Sequence, residues 1–120
     1  MPTLDKAAEL KARTKSYAIR IVRLYRSLPR STDAQVLGKQ LLRSGTSVAA
    51  NYRAACHSRS KAEFISKMSV VLEEADESAF WLELMAETDT VESDRTEALL
   101  KESNELAAIF GASLRTVKGN

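Results

Sequence analysis

The sequence predicts an all-α fold, an antiparallel up-down-up-down four-helix bundle formed as a single domain over residues 1–120. Three observations point there. The composition favours Ala, Leu, Glu, Lys and Arg, all strong helix formers, against only four glycines and two prolines. Apolar residues recur at steps of three and four along four long stretches, the spacing that puts them on one helix face. The breaks between stretches are short and polar, and short connections fold successive helices back on each other. A chain of this length buries a core without disulfides or metals.

The first helix is expected over about 5–28. Leu10, Thr14, Tyr17, Ala18, Ile21, Leu24, Tyr25 and Leu28 share its core face. Pro29 ends it by disfavouring helical backbone at the residue before it. Ile19 and Val22 fall on the far side, as scattered apolar residues or as part of a subunit contact. Thr32 with Gln35 fits a capping box for the second helix, expected over about 34–56. Its core face is Leu37, Leu41, Ser44, Val48, Asn51, Tyr52 and Ala55. Gly45 lies mid-helix at a cost of about 1 kcal/mol relative to alanine, best explained by close approach of another helix. Asn51, at the edge of that face, is expected to bond a neighbouring backbone or fix helix register.

Ser60 with Glu63 caps a third helix expected over 61–87. Ile65, Met68, Leu72, Ala75, Ala79, Leu82 and Ala86 read as an a/d heptad stripe, with Phe64, Val71 and Met85 widening it. The opposite side carries Val70, Phe80, Trp81 and Leu84 among acidic residues. An outward tryptophan there invites a partner, so these four join Ile19 and Val22 as expected oligomer contacts. The alternative for Trp81 is that its indole covers a helix end or lies under a loop. The fourth helix is expected over about 94–117, with Leu99, Leu106, Phe110, Leu114 and Val117 as its stripe.

The net charge of +2 conceals a division. Residues 1–61 hold 13 Lys and Arg against 3 Asp and Glu, while residues 62–120 hold 5 against 13. Such a basic half fits a nucleic-acid surface, and it equally fits two hairpins of opposite charge attracting each other. Arg13, Arg20, Arg23, Arg43 and Arg53 are the candidate nucleic-acid contacts. No catalytic set is expected. His57 is the only histidine, and Cys56 beside it cannot face it on a helix. The acids Glu73, Glu74, Asp76 and Glu77 lack the histidines a carboxylate-bridged metal site requires, so neither metal nor cofactor is expected. A lone cysteine, no apolar leader and no run long enough to span a bilayer lead to the expectation of a cytoplasmic protein.

Arg43-Ser44-Gly45-Thr46-Ser47-Val48-Ala49-Ala50-Asn51-Tyr52-Arg53 resembles the second-helix motif of a bacterial family of four-helix-bundle proteins. Lys61 to Met68, Glu74 to Glu77 and Trp81 to Leu84 resemble its third helix. The family includes proteins encoded in intervening sequences of 23S ribosomal RNA genes. It is similar to the accessory variability proteins of diversity-generating retroelements. The resemblance covers about residues 15–115. It implies a homopentameric ring, and in the retroelement relatives a basic surface that binds nucleic acid and a reverse transcriptase. It also implies structural roles for Asn51, Glu74 and Glu77, with Arg43 and Arg53 on the basic surface. Ala54 stands where the family motif usually has glutamate.

The leading expectation is a non-enzymatic homo-oligomer that binds RNA or DNA through helices 1 and 2. The alternative is a structural or protein-interaction module that binds another protein and no nucleic acid.

Overall fold

The computed structural model describes residues 3–119, which form α1 (Leu4–Arg26), α2 (Thr32–Ala55), α3 (Lys61–Glu87) and α4 (Ser93–Gly119). α1 packs on α2, α2 on α3, α3 on α4, and α4 returns to α1. Among the described residues the diagonal pairs α1/α3 and α2/α4 do not adjoin, so the four helices sit at the corners of a square. The body measures 47 × 21 × 20 Å, about one 27-residue helix plus its loops in length. No helix among the described residues is long and apolar enough to cross a membrane.

The helix ends follow local chemistry. α1 stops at Arg26, two residues short of the expected end, because Ser27 closes it. The Ser27 amide and hydroxyl both donate to the Leu24 carbonyl, at 3.0 and 2.7 Å. Leu28 still seals the core end. The expected Thr32/Gln35 box does not form. Ser31 is the N-cap, and Gln35 instead donates to the Pro29 carbonyl at 2.9 Å and accepts from the Tyr25 hydroxyl at 3.1 Å. The side chain of Gln35 thus pins the loop to α1, which is a stronger use of it than an exposed cap. At α3 the Ser60 hydroxyl does accept from the Glu63 amide at 3.0 Å, while the Glu63 carboxylate pairs with Lys67 one turn on. Asp89, in the following turn, takes a positive φ of 55°, a conformation asparagine and aspartate tolerate better than most residues.

Tyr17, Ile21, Leu41, Val48, Tyr52, Phe64, Met68, Leu82, Leu106 and Phe110 are the large buried members of the core. On α3 the buried line runs through Phe64, Met68, Val71, Ala75, Ala79, Leu82 and Met85. Ile65, Leu72 and Ala86, expected at its centre, are half-buried. The stripe is rotated toward the residues expected only to widen it, because α3 is clasped by α2 on one flank and α4 on the other. At mid-height the core holds a hydroxyl layer with one member from each helix. Tyr17 Oη and Ser103 Oγ lie 2.5 Å apart, and Ser78 Oγ donates to Ser44 Oγ at 2.8 Å. All four are buried, and each serine also meets a carbonyl of its own helix, so burial leaves none unsatisfied.

Gly45 bears on how close α1 and α2 come. A Cβ there would lie 2.9 Å from both Cγ1 and Cγ2 of Ile21. Gly45 is thus a point of close approach between the two helices, as its sequence position suggested, and Gly38, against Tyr25 and Leu28, is a second such point. Asn51, at the half-buried edge, donates to the Ser47 carbonyl at 2.9 Å and so bonds its own helix.

Candidate nucleic-acid interface

A groove lies on the outside of the same α1–α2 seam. Its floor is Thr46, Ala49 and Ala50 of α2, and its cationic groups are Lys11 and Lys15 of α1 and Arg53 of α2. The volume is about 270 Å³, and no acidic residue lines it. Small floor residues leave the backbone within reach of a ligand. Thr46 donates to the Leu42 carbonyl at 2.7 Å, so its hydroxyl proton is used within the helix. The antiparallel register brings Lys11 and Lys15, one turn apart in the first half of α1, beside the last turns of α2. Among the described residues no ion pair engages Lys11, Lys15 or Arg53. The fixed positive charge therefore faces solvent, where it attracts anions.

The five arginines picked from the sequence do not form one surface. Arg13 points to the α1–α4 seam, where its Nε and Nη2 donate to the two Glu102 oxygens at 2.8 and 2.7 Å. Glu105 adds a third contact at 3.3 Å. The Arg13 hydrogen bonds hold the Glu102 carboxyl below the usual carboxylate range, against the opposing effect of burial. Arg20 lies near the same carboxylate and adds a smaller attraction. Arg23 stands on the outer face of α1 with Lys15, Arg26, Ile19 and Val22. Arg43 ties α2 to α3 through Glu74, at 3.2 Å, and Glu77. Only Arg53 of the five reaches the groove.

Lys11 and Lys15 were missed. Attention to arginine density passed over them, although their spacing of four and the antiparallel pairing of α1 with α2 were both readable.

The apolar residues expected at an oligomer contact lie on two separate faces. Ile19 is 41% exposed on α1, with Val22 half-buried beside it. On α3, Phe80 is 51% and Val70 38% exposed, while Leu84 is half-buried. Trp81 also packs on the core, and its indole N–H donates to Glu77 Oε2 at 3.1 Å. Its ring meets Phe80 edge-on, with centroids 5.0 Å apart. Trp81 is thus half structural, held by the carboxylate that also takes Arg43.

At the α2 C-terminus, Cys56 caps the helix and His57 is exposed. The neighbouring Tyr52 hydroxyl is buried without a hydrogen-bond partner, and burial raises its pKa. No group of three or more His, Cys, Asp or Glu among the described residues could hold a metal ion.

The profile of a family described as 23S rRNA-intervening sequence protein matches residues 6–112. Among solved structures, the chain is similar to a protein of unknown function from the S23 ribosomal protein family of Bacteroides thetaiotaomicron. That match has 36% identity and a TM-score of 0.82, and covers 88% of this chain and 97% of the other. No curated protein matches.

Proposed function

The chain belongs to the 23S rRNA-intervening sequence protein family, and from that premise we propose that it is a non-enzymatic nucleic-acid-binding protein whose contact is the basic α1–α2 groove. The observation that carries this reading is the clustering of Lys11, Lys15 and Arg53 over an uncharged floor of small residues. Three cations with no acid among them suit a phosphate backbone, which is recognised by charge and without reference to sequence. No aromatic ring lines the groove for base stacking. Affinity therefore comes from phosphates, and sequence preference is weak.

The test is fluorescence anisotropy with a labelled single-stranded RNA and a labelled DNA duplex over a series of salt concentrations. Logarithmic affinity should fall linearly with the logarithm of salt. Arg53→Ala should reduce the slope by about 0.9 on duplex DNA or about 0.7 on a single strand, the loss of one phosphate contact. Lys15→Glu with Arg53→Glu should abolish binding. Arg13→Ala is the control, because that guanidinium is already committed to Glu102. Binding that survives the double reversal, or no binding at low salt, refutes the reading.

A further inference from the structure

The basic groove does not end at Lys15. Two further depressions continue from it along α1, and each shares a residue with the one before. Lys15 lines both the groove and the next depression, which also holds Ile19, Val22 and Arg23. Arg26 lines that depression and the last, which also holds Tyr25 and Arg30. The three together present Lys11, Lys15, Arg23, Arg26, Arg30 and Arg53, and no acid lines any of them. Among the described residues no ion pair engages any of these six cations. Lys11, Lys15, Ile19, Val22 and Arg26 follow steps of three and four, so they form one straight ridge of the helix. At about 1.5 Å per residue the ridge runs about 22 Å from Lys11 to Arg26, and Arg30 extends it past the helix end. Its charge is interrupted: Ala18, Ile19 and Val22 fill the span of about 12 Å between Lys15 and Arg23. At the far end the half-buried Tyr25 ring is fixed in place. Its hydroxyl donates to Gln35 Oε1 at 3.1 Å, and its Cδ1 lies 3.0 Å from where a Cβ on Gly38 would stand.

Building on the nucleic-acid role proposed for the groove, we infer that the ligand is a single strand laid along α1 from Arg53 and Lys11 to Arg30, and that the site selects single strands over duplexes. Shape argues against a duplex. α2 stands beside the ridge and supplies the groove floor, so a ligand meets two helices side by side, a face about 20 Å wide. The major groove of B-form DNA is about 12 Å wide and admits one helix, and that of duplex RNA is too narrow for side chains to read. A duplex therefore touches this face only where a line of phosphates crosses it, and its stacked bases leave Ile19 and Val22 uncovered. A single strand follows the whole ridge. Its phosphates pair with the cations at the two ends, its bases turn onto the apolar middle, and Tyr25 offers a ring to the base beside Arg30. Stacking on a ring tolerates any base, so the preference is for the form of the strand and not for its sequence.

Fluorescence anisotropy tests this with labelled oligouridine and oligothymidine, each compared with a duplex of equal length. Both single strands should bind about tenfold tighter than the duplexes at one salt concentration. On a single strand the slope of logarithmic affinity against logarithmic salt should be about −4 for six phosphate contacts, where the three cations of the groove alone give about −2. Arg26→Ala with Arg30→Ala alters only exposed side chains and should bring the slope to about −3. Tyr25→Leu should weaken single-strand binding about tenfold without changing the slope, with far-UV circular dichroism verifying the helices. Single strands bound no tighter than duplexes, a slope near −2, or wild-type affinity in the Arg26 and Arg30 double variant overturns the single-strand track. Binding of only one of the two sugars would place recognition on the ribose and overturn it too. In each of these cases a loss on Arg53→Ala leaves the groove reading standing, whereas no binding at low salt overturns both.

Discussion

Gly45→Ala tests the packing that sets the groove, because two opposing effects meet at one Cβ. In an isolated helix the change should stabilise by about 1 kcal/mol. Here the added carbon would lie 2.9 Å from two branches of Ile21, which is fully buried. A β-branched side chain in a helix has almost one χ1 rotamer, so Ile21 cannot turn aside. Forcing an extra carbon into a packed core costs about 1–3 kcal/mol. The net expectation is a loss of about 1 kcal/mol. A sharper quantity comes from combining it with Ile21→Ala, which alone should cost about 2–5 kcal/mol. That change removes both clashing carbons, so Gly45→Ala should then stabilise by up to about 1 kcal/mol. The coupling energy between the two sites is therefore about 1–3 kcal/mol. Urea denaturation followed by circular dichroism measures it, at one fixed chain concentration because self-association would add to apparent stability. Additivity within about 0.5 kcal/mol would refute the claim that α1 rests on Gly45. The single variant should also weaken nucleic-acid binding, since displacing α1 moves Lys15 away from Arg53.

Tyr17→Phe should cost about 1 kcal/mol, the net worth of one buried hydrogen bond, since Ser103 keeps its Leu99 carbonyl partner at 2.9 Å; a melting temperature unchanged from wild type would contradict this. Glu102 has a folded pKa below the ordinary glutamate range, so its bridge stabilises the fold above the unfolded value, and the contribution is lost as pH falls through the lower folded value. Glu102→Gln should accordingly flatten the acid limb of the stability–pH curve, and an identical limb would mean that the Arg13 bridge carries no such linkage. Arg43→Ala should cost no more than about 1 kcal/mol, as the bridge is largely exposed. It should nevertheless shift the fluorescence of Trp81, the only tryptophan, through the shared Glu77 carboxylate; an unchanged spectrum would count against that linkage.

The bundle was legible because its period was legible. Helical spacing placed all four helices to within about two residues at each end, and α3 as observed runs from Lys61 to Glu87. The departures have local causes. Gln35 reached back to Pro29 and Tyr25 in place of capping, a choice made by tertiary contact. The α3 stripe turned because apolar residues nearly surround that helix, so periodicity alone left its orientation underdetermined. Site residues were harder. Arg13 and Arg43 look alike in a sequence scan, and so does Arg53. What separates them is the helix each one faces, and this follows from the order of helices around the square. Lys11 and Lys15 entered for the same reason, through a neighbour some forty residues away in the chain.

That order also explains why the unpaired cations collect where they do. The basic half of the sequence builds the α1–α2 hairpin and the acidic half builds most of α3 and α4. In a square of successive helices the two hairpins meet along two seams, α2–α3 and α4–α1. The opposite charges of the two hairpins face each other there, and each seam has its bridge, Arg43 to Glu74 and Glu77, and Arg13 to Glu102 and Glu105. The α1–α2 seam lies within the basic hairpin. The three acids of that half, Asp5, Glu9 and Asp33, do not line its groove, and Glu9 instead contributes to the field at Arg13. Lys11, Lys15 and Arg53 consequently have no counter-charge to fold against. The positive surface is therefore a consequence of charge segregation along the chain combined with up-down topology, and moving acids into the α1–α2 seam would remove it without altering the fold.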